Sequence, residues 1–127
     1  MTDTADQTFV DHLGVQVHDD QEEGRARLTL EAEARHLNPA GSVHGGVLAT
    51  LVDTAMGQAV RSATGEDDVP ATSQLTVTYL RPGTEGLIEV TASLRKQGEH
   101  LSVCEADVEQ DGRSLVHAVA TFAVLHE

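Results

Sequence analysis

The run HGGVLATLVDTAMGQAVRSA, residues 44–63, decides how this chain folds. From about Gly46 to Ala63, the residues Val47, Leu48, Leu51, Val52, Ala55, Met56, Ala59 and Val60 recur at helical spacing and form a wide apolar stripe. This is the single long helix that the sequence predicts. The acidic run Gly65-Glu66-Asp67-Asp68, with Pro70 behind it, is expected to end the helix, with glycine as the C-terminal cap. A shorter helix is expected near Thr4 to Leu13.

On either side of this run the period changes from helical to alternating. Residues 25 to 34 alternate without a break, which puts Ala26, Leu28, Leu30 and Ala32 on a core face and Arg27, Thr29 and Glu31 toward water. Similar strands are expected at 71 to 80, with Leu75, Val77 and Tyr79 on one face, at 87 to 95, with Ile88, Val90, Ala92 and Leu94, at 101 to 109 and at 115 to 125. Arg81-Pro82-Gly83 with Gly86, Lys96-Gln97-Gly98, and Gln110-Asp111-Gly112 separate them with turn chemistry, so adjacent antiparallel pairing is the economical connection. One apolar helix beside about five antiparallel strands implies an α+β domain whose curved sheet wraps the helix. A single small sheet leaves an edge strand open, and pairing that edge with a second copy predicts a homodimer or a larger symmetric assembly.

The 127 residues suit one domain spanning 1–127. No run approaches the length of apolar chain that crosses a bilayer, and the polar N-terminus lacks the basic start of a secretory signal, so a soluble cytoplasmic protein without membrane partners is expected. The formal charge is −13 with Lys96 the sole lysine, which argues against nucleic acid as a partner because phosphate contacts need clustered Lys and Arg. Three aromatic residues, Phe9, Tyr79 and Phe122, also offer no stacking platform for bases. The dispersed acidic excess reads as a solvated surface and would suit a high-salt cytoplasm. Cys104, the only cysteine, reads as a small buried hydrophobe.

The start of the helix carries the chemistry. Backbone N–H groups there have no intrahelical acceptor and lie at the positive end of the helix dipole, so at Gly45 and Gly46 they can hold a carbonyl oxygen that is gaining negative charge. Asp53 falls outside the apolar stripe, near Gly46, Thr50 and Gly57, where a carboxylate can serve as general base or nucleophile. Singly, each feature has an ordinary role: Gly-Gly as a tight turn, Asp53 as a solvated residue, His44 as a turn histidine, Asn38-Pro39 as a loop start. Together they are harder to dismiss. Asp53 lies eight residues after Gly45, roughly 12 Å along a helix axis. One carbonyl cannot touch both within a chain, whereas a symmetric dimer could bring Gly45 of one subunit to Asp53 of the other.

The pattern Asn38-Pro-Ala-Gly41-Ser-Val-His44-Gly45-Gly46, followed by Leu51-Val-Asp53, resembles the signature of the PaaI-like hotdog-fold acyl-CoA thioesterases. The likeness extends through Thr72-Ser-Gln-Leu-Thr-Val-Thr-Tyr79-Leu-Arg-Pro82 and Leu94-Arg-Lys-Gln-Gly98. It implies a long central helix wrapped by an antiparallel sheet, dimers that often form tetramers, and acyl-CoA as substrate. Carried over, it implies that Asp53 activates water or attacks the thioester, that Gly45 donates its N–H to the thioester oxygen, and that Asn38 and His44 orient the site. Thr72 is the best match for a hydroxyl that places the water, with Ser73 one step away. Gly46 accompanies Gly45 at the helix start, and Arg81, Arg95 and Lys96, with Arg61, are candidates for the phosphates of coenzyme A, Arg95 and Lys96 sitting together at a turn. No cofactor is expected. No metal is expected either, since His44 is the only histidine in the motif and the other six are scattered. A non-catalytic acyl-CoA sensor or carrier has no evident need for Asp53, and a hotdog hydratase would place an Asp and a His close together in one loop, which residues 38 to 44 do not.

Overall fold

The computed structural model describes residues 7–65 and 67–125. Within them the chain forms α1 (Phe9–Leu13), β1 (Gln16–His18), β2 (Arg25–Ala32), a 3-10 turn (Ala34–His36), α2 (Gly45–Ala63), β3 (Val69–Tyr79), β4 (Gly86–Gln97), β5 (Leu101–Gln110) and β6 (Arg113–Leu125). Thr4, Ala5 and Asp6 of the expected short helix lie outside the described residues, as does Glu66. What is described of that helix starts at Phe9, because Thr8 caps it: the Thr8 side chain accepts from the Asp11 N–H, and the Asp11 carboxylate accepts from the Thr8 N–H in return.

All six strands join one antiparallel sheet in the order β1-β2-β4-β5-β6-β3, and α2 packs against β2, β3, β4, β5 and β6. Leu48, Leu51, Val52, Ala55, Met56, Ala59 and Val60 of α2 are buried against the inward residues of the strands, among them Leu28, Leu30, Ile88, Val90, Val108 and Val116. Burial of these side chains, at roughly 1.5–3 kcal/mol for each large one, holds the helix on the sheet. The α+β arrangement of a sheet around one long helix follows the sequence reading.

Several expectations need correction. Strand β1 was not foreseen, and through it Thr29 is buried rather than solvated: Gln16 pairs opposite Thr29, and His18 Nε2 meets Thr29 Oγ1 at 2.8 Å. Neighbours in sequence pair only in β1-β2 and in the β4-β5-β6 meander; β3 crosses to β6 and β2 pairs with β4, so Arg81-Pro82-Gly83 is a crossover and not a hairpin turn. The C-cap of α2 is Thr64 in extended conformation, its N–H bonded to the Arg61 carbonyl, while Gly65 begins the next turn by donating to Asp68 Oδ2 at 3.1 Å. Tyr79 shares the inward side of β3 with Leu75 and Val77, yet it is 51% exposed because the strand leaves the core at that end.

The sheet has two edges. The short β1 is one; β3, eleven residues long and paired only with β6, is the other. In the core, Ser102 is fully buried and its hydroxyl has no hydrogen-bond partner among the described residues. A buried hydroxyl without a partner destabilises the fold. Ser102→Ala is therefore expected to raise stability by about 1 kcal/mol, read as a higher urea midpoint at unchanged slope.

Candidate active site

The loop before α2 is folded by Asn38. Its Oδ1 accepts from the backbone N–H groups of Ala40 (3.0 Å) and Ser42 (3.1 Å), and its own N–H donates to the Ser42 carbonyl at 2.7 Å. Gly41, with φ at +90°, turns the chain back between them. The returning segment is tied at Val43, whose N–H donates to the Gly83 carbonyl (2.9 Å), and at His44, whose N–H donates to the His36 carbonyl (2.8 Å). His36 itself is buried, with Nδ1 accepting from the Glu33 N–H (2.9 Å) and Nε2 on the Leu13 carbonyl (2.8 Å).

His44 is the N-cap of α2. Its Nδ1 accepts from the Gly46 N–H at 2.8 Å, so the neutral ring carries its proton on Nε2. That bond explains the second glycine, since a Cβ at position 46 would stand 2.9 Å from the same Nδ1. The Gly46 N–H is thus occupied by His44. The Gly45 N–H, at the first position of α2, has no acceptor among the described residues. Asn38, Gly45, Leu48, Tyr79, Arg81 and Pro82 are among the residues lining a cavity of about 350 Å³ at this helix start.

Asp53 lies farther along α2, half-buried, and Thr72 donates its hydroxyl to Asp53 Oδ1 at 2.6 Å. A bulge in β3 makes this contact. Thr72 lies opposite Phe122 and Gln74 opposite Thr121, leaving Ser73 without a cross-strand partner. Thr72 therefore shares the helix-facing side of the sheet with Phe122, although simple alternation back from Leu75 would turn it outward. Ser73 stays exposed at the bulge and makes no bond to Asp53.

The chain thus holds two separate groupings. Gly45 and Asn38 line the cavity; Asp53 and Thr72 meet each other, and the interval between Gly45 and Asp53 is unbroken helix, about 12 Å long. Of the basic candidates, Arg81 lines the cavity and donates to the Ser114 carbonyl at 2.9 Å. Arg95 and Lys96 lie inside β4 rather than at a turn; Arg95 falls at a register shift, with its Nε 3.5 Å from Glu105 Oε1, and Lys96 is exposed. Arg61 is exposed at the far end of α2. Cys104 takes no part: burial pushes its thiol up to about 11, so it stays protonated at neutral pH. Among the described residues no cluster of His, Cys, Asp and Glu could hold a metal ion, and no helix is long and apolar enough to cross a membrane.

Sequence reasoning missed a contact at the helix start. Tyr79 Oη donates to the Gly45 carbonyl at 2.7 Å, and a Cβ on Gly45 would lie 3.3 Å from the tyrosine Cζ and Oη. Its signal was present only as the sole tyrosine of the chain at the end of a predicted strand.

A long helix wrapped by one antiparallel sheet, with an open N–H at its start and a carboxylate along its length, places the protein in the class of hotdog-fold thioesterases. The model of the thioesterase superfamily matches residues 40–117, and the chain belongs to that superfamily. It is 41% identical over 108 residues to a protein of Halobacterium salinarum, covering 81% of this chain and 70% of that one. With the acyl-coenzyme A thioesterase PaaI of Escherichia coli it shares 35% identity over 88 residues, covering 68% of this chain and 61% of that enzyme. The solved structure of that PaaI protein superposes with a TM-score of 0.86 at 28% identity, over 95% of this chain and 86% of that one. A conserved protein of Pseudomonas aeruginosa superposes with a TM-score of 0.89 at 28% identity, over 94% of each chain.

Proposed function

We propose that the protein hydrolyses acyl-CoA thioesters to the free acid and coenzyme A, with Asp53 as general base and the Gly45 N–H as donor to the thioester oxygen. The observation that carries this reading is the 2.6 Å bond from Thr72 to Asp53. A hydroxyl that donates to the carboxylate keeps its lone pairs free to accept from a water, and so can hold that water beside the base. Asp53 takes a proton as the water oxygen bonds to the carbonyl carbon, and the Gly45 N–H and helix dipole stabilise the charge that develops on the carbonyl oxygen. Collapse of the tetrahedral intermediate breaks the C–S bond, coenzyme A leaves as a thiolate, and the proton on Asp53 passes to the thiolate or to solvent. Thiols ionise near pH 8.5, so this leaving group needs little help from an acid.

The site in this reading spans two subunits of a homodimer, which can pair further into a tetramer. The open edge of β3, with Val69, Tyr79 and the adjoining Leu80 exposed along it, is the support for such pairing, together with the helical separation of Gly45 from Asp53. Arg81, which lines the cavity beside Gly45, is the best-placed cation for the phosphates of coenzyme A. A free, buried cysteine suits a reducing cytoplasm as the place of action.

The test is thiol release from a panel of aliphatic and aromatic acyl-CoA esters, with the solution mass measured on the same sample. Turnover of at least one ester by a dimer or tetramer is expected; binding without any release of thiol would leave an acyl-CoA carrier, and an active monomer would exclude a shared site. Removing the Thr72 hydroxyl at nearly constant shape, as Thr72→Val, is expected to lower kcat by about ten-fold or more, the worth of a hydrogen bond to a charged group, whereas Thr72→Ser should retain most of it.

A further inference from the structure

The peptide unit between Gly45 and Gly46 is held at both of its polar ends. Its carbonyl accepts the Tyr79 hydroxyl at 2.7 Å, and its N–H donates to His44 Nδ1 at 2.8 Å. We propose that Tyr79 is a positioning residue that aims the Gly45 N–H at the substrate oxygen; this rests on the reading of Gly45 as the oxyanion donor.

Glycine at the first position of a helix is the residue least able to hold a direction by itself. It has no Cβ to restrict φ and ψ, and its N–H takes no bond back along the helix. Two planes meet at the Gly45 Cα. The plane before it carries the donor N–H and is anchored at its other end by the His44 carbonyl, which accepts from the Val47 N–H at 2.9 Å. The plane after it is the one gripped by Tyr79 and His44. With both planes fixed, the donor direction is fixed. The tyrosine ring adds a steric stop, because it lies 3.3 Å from where a Cβ on Gly45 would be. Tyr79 comes from the end of β3, far in sequence from the helix start, so the bond also ties the edge strand to the donor. Donors of this kind act through preorganisation, and a small loss of aim is felt in the transition state more than in substrate binding.

The experiment compares Tyr79→Phe, which keeps the ring and removes the hydroxyl, with the parent. Kinetics with the best ester of the panel are combined with affinities for two non-hydrolysable CoA compounds: a ketone in which methylene replaces the thioester sulfur, and the alkyl thioether that lacks the carbonyl. Expected are a fall in kcat of about ten-fold, smaller than removal of a donor outright, with KM changed less than about two-fold and the melting temperature retained. Affinity for the ketone and for the thioether should both hold within about two-fold, since neither carries the charge of the transition state. An unchanged kcat overturns the proposal, and so does an equal loss of affinity for both compounds, since that would mark a merely structural tyrosine. A parent that releases no thiol from any ester overturns the hydrolase reading and this proposal together, whereas an active parent with an indifferent Tyr79→Phe overturns the proposal alone.

Discussion

Asp53→Asn is expected to lower kcat by about two orders of magnitude or more, the usual contribution of a positioned general base, with KM and melting temperature close to the parent. The substitution is nearly isosteric. Asn keeps a carbonyl oxygen that can accept the Thr72 hydroxyl, so the 2.6 Å contact, and with it the helix-to-β3 packing, has a reason to persist. What is lost is the capacity to take a proton from water. Asp53→Ala would be a poorer probe, because it also leaves the Thr72 hydroxyl without its partner and confounds loss of base with loss of geometry. The comparison with Thr72→Val then separates the roles: a water-positioning hydroxyl costs less than the base it serves. Steady-state thiol release at saturating ester, with thermal denaturation on the same preparations, decides the outcome. Asp53→Asn with parental kcat would remove Asp53 from the chemistry.

How much of this was legible depends on the range of the interaction involved. The stripe from Val47 to Val60 and the alternation from Ala26 to Ala32 are local patterns imposed by burying one face, and both elements appear where the pattern puts them. Alternation names a face and not a neighbour, which is why the order β2-β4 and β6-β3 could not be read. Strand β1 has three residues, too few to alternate visibly. Thr72 is the instructive case. Its place beside Asp53 came from resemblance, while the residues between it and Leu75 argue the wrong face; the bulge at Ser73 reverses that, and a bulge is a property of the pair of strands. His44 was read as a residue near the substrate, yet its Nδ1 caps the helix, a task commonly left to Ser, Thr, Asp or Asn. Tyr79 was read for its face, its aromatic ring and its place in the matching stretch, but not for its hydroxyl, whose partner lies 34 residues away.

The second large effect is expected from Gly45→Pro, with kcat lowered by about 10²- to 10³-fold, the range found when one oxyanion donor is removed. Proline suits this position unusually well. Gly45 is the first residue of α2, where an N–H has no intrahelical partner and the φ of proline fits the helix. The residue before a proline must be extended, and His44 already is, at φ −56° and ψ 132°. The change therefore deletes the donor N–H and little else of the backbone. Of the atoms that proline adds, the Cβ meets the Tyr79 ring at 3.3 Å and the Cδ takes the place of the amide hydrogen; Gly45→Ala brings the same Cβ, keeps the N–H, and is the control that should stay far more active. The same variant tests where the site lies. Mixing Gly45→Pro chains with Asp53→Asn chains, each inactive alone, and letting subunits exchange gives heterodimers in half the population; in each, one site joins an intact Gly45 to an intact Asp53. Activity should return to about one quarter of the parent's if the site is shared across a two-fold interface. If Gly45 and Asp53 act within one chain, every chain in the mixture lacks one of them and no activity returns.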